Sequence, residues 1–131
     1  MNTKNKLKVG ILGATGMVGQ RLISLLKDHP WFTVVCVAAS DRSAGKTYAE
    51  AVLGRWTQKE PIPKNVRMLK VFSIEKDMNI IALKSDFLFS AIDAVKDFIR
   101  KIEETYASLG LPLVSNNSAH RWTEDVPMIM P

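Results

Sequence analysis

The feature that most restricts the fold is a cluster of four glycines near the N-terminus, at Gly10, Gly13, Gly16 and Gly19. Residues 7–12 run into this cluster, are mostly apolar and predict a short buried strand. Residues 17–27 predict a helix that ends at Asp28-His29-Pro30. The apolar face of that helix would comprise Val18, Leu22, Leu25 and Leu26. The chain therefore begins with a strand, a glycine-rich turn and a helix.

The rest of the chain alternates between predicted strands and helices. Phe32 to Ala39 is β-branched and nearly all apolar, which is typical of a strand covered on both faces of a parallel sheet. A short helix around Tyr48 to Leu53, anchored by Trp56, would follow, and Pro61 and Pro63 exclude regular structure after it. Later segments predict a strand at 66–72, a helix at 74–84, strands at 86–90 and 113–115, and a helix between those last two strands.

The last of these helices would be capped by Asp93 and closed by Gly110 in a left-handed conformation. Its apolar face would comprise Val95, Phe98, Ile99, Ile102, Tyr106 and Leu109. This alternation predicts an α/β fold with a doubly wound parallel sheet, in which ligands bind at the carboxyl ends of the strands.

Composition favours one globular domain over a membrane or nucleic-acid-binding protein. A chain of 131 residues can bury a core without disulfides or a structural metal. The longest apolar run, Val34 to Ala39, is far shorter than the roughly 20 residues of a membrane span. The net charge of +5 is spread along the chain, which favours small anions over nucleic acid as partners. One cysteine and no secretory signal predict a cytoplasmic location.

The glycine-rich turn predicts a binding site for a dinucleotide pyrophosphate. Small residues between a strand and a helix let a phosphate approach the backbone, and the free amides and dipole of the helix favour its negative charge. The spacing is G-x-x-G-x-x-G rather than the commoner G-x-G-x-x-G, and the alternative is that the glycines serve only a tight turn.

The segment after the second strand bears on the choice between NAD and NADP. Asp41 is near enough to the expected position for an acidic residue that binds a ribose 2′-hydroxyl. The neighbouring hydroxyl and cationic side chains suit a 2′-phosphate instead, and they are Ser40, Arg42, Ser43 and Lys46. We therefore favour NADP; the alternative is that Arg42 and Lys46 are ordinary solvated charges.

The cysteine and histidines indicate little chemistry. Cys36 lies inside an apolar strand, which predicts a buried, unreactive thiol. His29 is expected to complement a helix dipole, and His120 to be structural or solvated. Arg121, at the ligand edge of the sheet, is a better candidate for anion binding.

Four blocks in order resemble the aspartate-semialdehyde dehydrogenase family, most closely its archaeal and fungal-like branch. The blocks are residues 10–19, 38–46, 86–93 and 114–121, so the resemblance covers essentially the whole chain. It implies a Rossmann-like sheet and an NADP-dependent enzyme that reduces aspartyl 4-phosphate to aspartate semialdehyde, on the route to lysine, threonine and methionine. In this family a cysteine forms a thioester that receives the hydride, phosphate is released and a histidine handles the thiol proton. The enzymes are expected to be homodimers or homotetramers.

The resemblance also implies roles for residues of this chain. The pyrophosphate would be held by Gly13, Thr15, Gly16, Met17 and Val18, and the adenosine ribose phosphate by Ser40, Arg42 and Ser43. Ser90 and Ala91 would line the nicotinamide, Asn116 and Ser118 would lie near its amide, and Arg121 would contact a phosphate.

By the same resemblance, the nucleophilic cysteine, the catalytic histidine and the substrate arginine belong to segments after Pro131. We therefore expect residues 1–131 to be an NADP-binding domain truncated before the catalytic domain, with no catalytic residue of its own. A later helix completes this domain in the family, so the chain is expected to expose an apolar flank, to bind nucleotide weakly at best and to lack dehydrogenase activity.

The sequence leaves two other functions open and disfavours a third. A malonyl-CoA reductase of the same family remains open, since the residues that distinguish the substrates lie after Pro131. A non-catalytic nucleotide-binding module also remains open. A short-chain reductase is disfavoured because it needs a lysine four residues after a tyrosine, and Val52 and Gly110 stand there instead.

Overall fold

The computed structural model describes residues 6–92 and 94–115. Within them, five strands form one parallel sheet: β1 (Leu7–Leu12), β2 (Phe32–Ala39), β3 (Val71–Ser73), β4 (Phe87–Ser90) and β5 (Leu113–Ser115). The strand order is β3-β2-β1-β4-β5, so β1 lies between β2 and β4. The predicted doubly wound, Rossmann-like sheet is confirmed.

The helices of the described residues cover both faces of the sheet. They are α1 (Met17–Leu25), α2 (Tyr48–Ala51), α3 (Lys64–Arg67), α4 (Met78–Lys84) and α5 (Lys96–Ser108). One core joins α1, α2 and α3 to side chains such as Val9 and Val37, and the other joins α4 and α5 to side chains such as Leu12 and Cys36. Residues of β1 and β2 thus enter both cores, which is why the buried parts of these strands, residues 9–12 and 34–39, have no polar side chain other than the thiol of Cys36.

The buried face of α1 differs from the predicted one. Of the predicted face, Leu22 and Leu26 do reach the core, whereas Val18 and Leu25 are exposed by 42% and 67%. The buried residues of the helix are Gly19, Gln20 and Ile23. A Cβ at Gly19 would overlap the Gly13 carbonyl oxygen, so only glycine lets the helix pack this closely against the turn. This close approach turns Gly19 and Ile23 inward and moves Val18 and Leu25 to the outside.

The connection from β2 to β3 also departs from the sequence prediction. Residues 64–67 form α3, with Pro63 at its N-cap, so the strand predicted at 66–72 is confirmed only at its last two residues and is wrong before Val71. Proline suits the start of a helix because it has no amide hydrogen to leave unpaired. The helix expected from Ile74 begins only at Met78, after a turn that ends at Asp77.

The start of α5 corrects a further expectation. The helix begins at Lys96 with Val95 at its N-cap, two residues after the predicted cap, and Asp93 itself lies outside the described residues. Val95 is 72% exposed and Leu109 44% exposed, so they do not belong to the buried face. That face consists of Ile99, Ile102, Glu103 and Tyr106. Gly110 adopts a φ of 86°, as its predicted role at the helix end requires.

Candidate functional site

The carboxyl ends of β1 to β4 surround an open cleft of about 630 Å³. It is lined by Gly13, Thr15, Gly16, Ala39, Ser40, Asp41, Arg42, Arg55, Ser73, Ile74, Glu75, Ala91, Ile92, Ala94 and Phe98. The chain leaves β1 toward β2, while β4 adjoins the opposite edge of β1. The cleft therefore lies where the strand order reverses, the position at which open α/β sheets bind ligands.

Three of the four clustered glycines are required by the fold itself. Gly13 has a φ of 78°, and a Cβ there would lie 2.5 Å from the Ala91 carbonyl oxygen. A Cβ at Gly10 would lie 2.6 Å from Ser85 Oγ, and one at Gly19 would overlap the turn. Gly13 and Gly19 bring β1, α1 and the loop after β4 into backbone contact, while Gly10 leaves room for the side chains of Ser85 and Leu88.

Gly16 differs from the other three. Its φ of −79° and ψ of 173° are open to any residue, and a Cβ there would meet only the Gly13 carbonyl oxygen, at 3.7 Å. Gly16 lines the cleft and is the N-cap residue of α1, where serine, threonine, aspartate and asparagine are preferred. Neither the turn nor the packing explains glycine at this position.

The amides of the turn are partly available to an anion. Those of Gly13 and Ala14 donate to the Ala38 carbonyl at 2.9 and 3.0 Å. The amides of Thr15, Met17 and Val18 make no hydrogen bond within the described part of the chain. They belong to the turn and to the first turn of α1, whose dipole favours a negative charge. The turn thus offers fewer free amides than the glycine pattern suggests, but it offers them at the helix N-terminus.

Two buried side chains hold the carbonyl groups of the turn. Gln20 Nε2 donates to the carbonyls of Thr15 and Arg55, each at 3.0 Å, and its Oε1 accepts from the Thr57 amide at 2.9 Å. Tyr48 Oη donates to the Ala14 carbonyl at 2.7 Å, and burial raises the pKa of this phenol. The turn is therefore ordered by the protein's own contacts.

The turn after β2 presents charged and hydroxyl side chains to the cleft. Ser40 and Arg42 are exposed, and Arg42 forms no ion pair with the described residues. Asp41 accepts a hydrogen bond from Ser73 Oγ at 2.5 Å and pairs with Lys76 Nζ at 3.1 Å. The Ser73 hydrogen bond and then Lys76 lower the pKa of the Asp41 carboxyl. Arg42 thus brings to the cleft a charge that no described residue neutralises, whereas Asp41 is engaged.

The structure brings about half of the sequence-predicted site residues together. Those that line the cleft are Gly13, Thr15, Gly16, Ser40, Arg42 and Ala91. Met17 and Val18 are exposed at the start of α1, whereas Ser43 and Ser90 are buried, and none of these four lines the cleft. Asn116, Ser118 and Arg121 lie outside the described residues.

Several lining residues were missed by sequence reasoning. Arg55 reaches the cleft because Gln20 holds its carbonyl, a contact across 35 residues that has no local signal. Ser73 and Glu75 follow β3, and an accurate end for that strand would have placed them at the ligand edge. Phe98 was assigned to the buried helix face; it packs against the core as expected, but it is only half-buried and also lines the cleft.

The described residues supply no reactive thiol or imidazole to this cleft. Cys36 is 1% exposed, and burial raises the pKa of its thiol to about 11, as expected of a structural cysteine. His29 Nδ1 accepts a hydrogen bond from the Trp31 amide at 3.1 Å, and its ring stacks on Phe32. The arrangement can bind a charged ligand, and it offers no nucleophile.

The family comparison matches nearly the whole chain. Residues 8–131 match the family described as semialdehyde dehydrogenase, NAD binding domain. The chain belongs to the semialdehyde dehydrogenase family. No helix in the described part of the chain has the length and hydrophobicity to cross a membrane.

Two curated relatives and one solved structure lie in the branch expected from the four sequence blocks. The chain is 38% identical to the aspartate-semialdehyde dehydrogenase of Archaeoglobus fulgidus, over 96% of its own length and 34% of the relative's. It is 42% identical to the aspartate-semialdehyde dehydrogenase of Schizosaccharomyces pombe, over 95% of its own length and 33% of the relative's. The aspartate-semialdehyde dehydrogenase of Candida albicans, crystallised with NADP, matches with a TM-score of 0.82 and 40% identity. The match covers 95% of this chain and 33% of the Candida albicans chain. The predicted resemblance is confirmed, and the chain spans about a third of the length of these relatives.

Proposed function

We propose that this chain is the NADP-binding domain of an aspartate-semialdehyde dehydrogenase. The observation that carries the proposal is Gly16. It is a glycine that the fold does not require, it lies at the N-terminus of α1, and it lines the cleft where the strand order reverses. A pyrophosphate that approaches the backbone closely accounts for the missing side chain.

The cleft fits an extended dinucleotide. The pyrophosphate would lie against Thr15 and Gly16 and the first amides of α1, at Met17 and Val18, while Gly13 shapes the turn. The adenosine end would lie toward Ser40 and Arg42, with Ser43 supporting their turn, because the Ser43 amide donates to the Ser40 carbonyl at 3.0 Å.

The nicotinamide end would lie beside Ala91, at the end of β4. Ser90 is fully buried there and would support the position of Ala91. The resemblance adds Asn116 and Ser118 near the nicotinamide amide and Arg121 as a phosphate contact. When bound, NADPH would supply a hydride to an acyl group.

The preference for NADP over NAD rests on the turn after β2. A free guanidinium and a hydroxyl can each form a charge-assisted contact with a 2′-phosphate, worth about 1.5–3 kcal/mol each. Asp41, the residue that would select NAD, already accepts the Ser73 hydroxyl and pairs with Lys76. The guanidinium of Arg42, which pairs with no described residue, and the engagement of Asp41 therefore both favour NADP.

For the whole protein we propose the activity of its relatives. It would reduce aspartyl 4-phosphate to aspartate semialdehyde through a cysteine thioester and release phosphate. It would act in the cytoplasm as a homodimer or homotetramer, in amino-acid biosynthesis. Assays of the whole protein with aspartyl phosphate and with malonyl-CoA test the substrate class.

Titration of the 131-residue chain with NADPH and NADH, followed by NMR chemical shifts, tests the proposed cofactor. We expect weak binding that favours NADPH at least about tenfold. Arg42→Ala should weaken NADPH binding about ten- to a hundredfold and leave NADH binding within about twofold. Arg67→Ala removes an equally exposed arginine on α3, outside the cleft, and serves as the control. Equal affinities for the two cofactors, or no shifts at residues 13–18, would refute the proposal.

A further inference from the structure

Asp41 is one of two carboxylates that line the cleft, and it is held by residues of β3 and of the turn between β3 and α4. Asp41 belongs to the turn after β2, yet its partners Ser73 and Lys76 belong to β3 and the turn that follows it. The carboxylate is therefore held on the β3 side of the cleft, beside the turn that carries Ser40 and Arg42.

The fold fixes the direction of the Ser73 hydrogen bond. Ser73 is 3% exposed, its amide donates to Asp77 Oδ2 at 2.7 Å, and its Oγ accepts from the Lys76 amide at 3.1 Å. With that amide donating to Oγ, the hydroxyl proton is directed at Asp41. Because these contacts lower the pKa of Asp41, its carboxyl is charged at neutral pH.

The charges of the cleft lining cancel. Among the described residues that line it, Asp41 and Glu75 are acidic and Arg42 and Arg55 are basic. A phosphate monoester carries about −1.5 to −2 charges at pH 7, so a neutral lining would attract it poorly. Lys76 is not part of the lining but pairs with Asp41 at 3.1 Å, and its charge added to those of the lining leaves one net positive charge.

We propose that Lys76 is a positioning residue that sets the preference for a 2′-phosphorylated adenosine. Its ion pair with Asp41 removes the repulsion that this carboxylate would exert on a phosphate held by Ser40 and Arg42. Lys76 acts through Asp41 and does not itself contact the ligand. The inference rests on the proposed NADP site.

The test uses the full 131-residue chain and two probes, 2′,5′-ADP and 5′-AMP, which differ only in the 2′-phosphate. NMR titration in low salt is expected to show that Lys76→Met weakens 2′,5′-ADP binding about three- to tenfold, with 5′-AMP binding within about twofold. In about 1 M salt the effect should shrink, because the screening length falls to about 3 Å. Lys84→Met is the control, since it removes the same charge from the far end of α4, away from Asp41.

The double variant Asp41→Asn/Lys76→Met decides how Lys76 acts. It should regain wild-type affinity for 2′,5′-ADP within about twofold, because neither charge remains. Asp41→Asn alone should bind this probe at least as tightly as wild type. The inference is overturned if affinity is not regained, if Lys76→Met weakens both probes alike, or if Asp41→Asn weakens 2′,5′-ADP binding. A wild-type chain that binds the two probes equally would instead refute the proposed NADP site.

Discussion

The glycines of the N-terminal cluster lack a side chain for two different physical reasons. Gly13 and Gly19 lack one because backbone atoms of the Ala91 loop and of the turn already occupy the space. Gly16 lacks one although its backbone angles and surroundings accept a Cβ. Within residues 13–19, substitutions at Gly13 and Gly19 should therefore lower stability, and a substitution at Gly16 should lower nucleotide affinity.

Gly16→Ser should keep the chain folded and weaken its nucleotide binding. Serine is a better N-cap than glycine, so stability should stay within about 0.5 kcal/mol or rise slightly. Its side chain would fill the space left for the phosphates and compete for the first amides of α1, which should cost about tenfold or more in NADPH affinity. Urea denaturation and NMR titration measure the two effects.

Gly13→Ala is the matched comparison. Alanine at position 13 would have to keep a φ of 78°, and its Cβ would lie 2.5 Å from the Ala91 carbonyl oxygen. The substitution should therefore destabilise the fold by more than about 2 kcal/mol. If Gly16→Ser destabilises the chain as much as Gly13→Ala does, Gly16 serves the fold and the argument from its free space is wrong.

Cys36 should resist modification in the folded chain. Its thiol is 1% exposed, and its pKa of about 11 against an ordinary 9.0 lowers the thiolate fraction about a hundredfold at pH 8. Alkylation with iodoacetamide, followed by mass spectrometry, should be at least about a hundredfold slower in the native chain than in urea. Comparable native and unfolded rates would mean that Cys36 is accessible.

Residue-scale prediction from sequence succeeds where the signal is local. The apolar neighbours of Cys36 indicate its burial, and the strand before Gly13 and the helix after Gly16 indicate the cleft. Arg55 could not be found in this way, because its place at the cleft depends on a hydrogen bond with Gln20, 35 residues away in the sequence, that exists only in the folded chain.

At the scale of elements, Gln20 joins three segments. It lies on α1, is 1% exposed, and bonds the glycine turn through Thr15 and the loop after α2 through Arg55 and Thr57. A buried glutamine is acceptable here because both its oxygen and its nitrogen have partners. Gln20 thereby links the phosphate side of the cleft to the loop that carries Arg55.

Gln20→Leu should destabilise the chain by about 2–3 kcal/mol, because it leaves the buried Thr15 carbonyl and the partly buried Arg55 carbonyl without their partner. The midpoint of urea denaturation measures this loss. Arg21→Leu, at the next and exposed position of α1, should change stability by no more than about 0.5 kcal/mol. A similar small effect for both variants would show that water replaces the glutamine contacts.

The element boundaries that sequence analysis missed have physical explanations. Apolar spacing placed Val18 and Leu25 inside, but the contact between Gly19 and the turn rotates α1 away from that face. The strand at 66–72 was favoured by its apolar residues, whereas Pro63 starts a helical turn that delays β3 to Val71. Long apolar segments such as β2 were predicted to the residue, because burial on both faces leaves little choice.

At the scale of the whole molecule, an aromatic surface formed by described residues lies on one face of the sheet. On the face that packs against α1, α2 and α3, the β4 side chains Phe87 and Phe89 are only half-buried. Their rings contact edge-on at 5.2 Å, and Phe87 also meets Phe32. We propose that this aromatic surface is the apolar flank that the family resemblance led us to expect. Weak nucleotide binding by the chain alone would follow if an uncovered flank loosens β4 and the adjoining Ala91.

The 131-residue chain should bind NADPH without oxidising it. Within the described part of the chain, the cleft contains no histidine or cysteine, and the sequence's one cysteine is buried as a neutral thiol on β2. Without a thiolate near the cofactor, no thioester can form to accept a hydride. Absorbance at 340 nm, recorded with aspartyl phosphate and NADPH, should fall no faster than in a protein-free blank. Oxidation of NADPH that disappears in a Cys36→Ser variant would contradict this and would make Cys36 a catalytic residue.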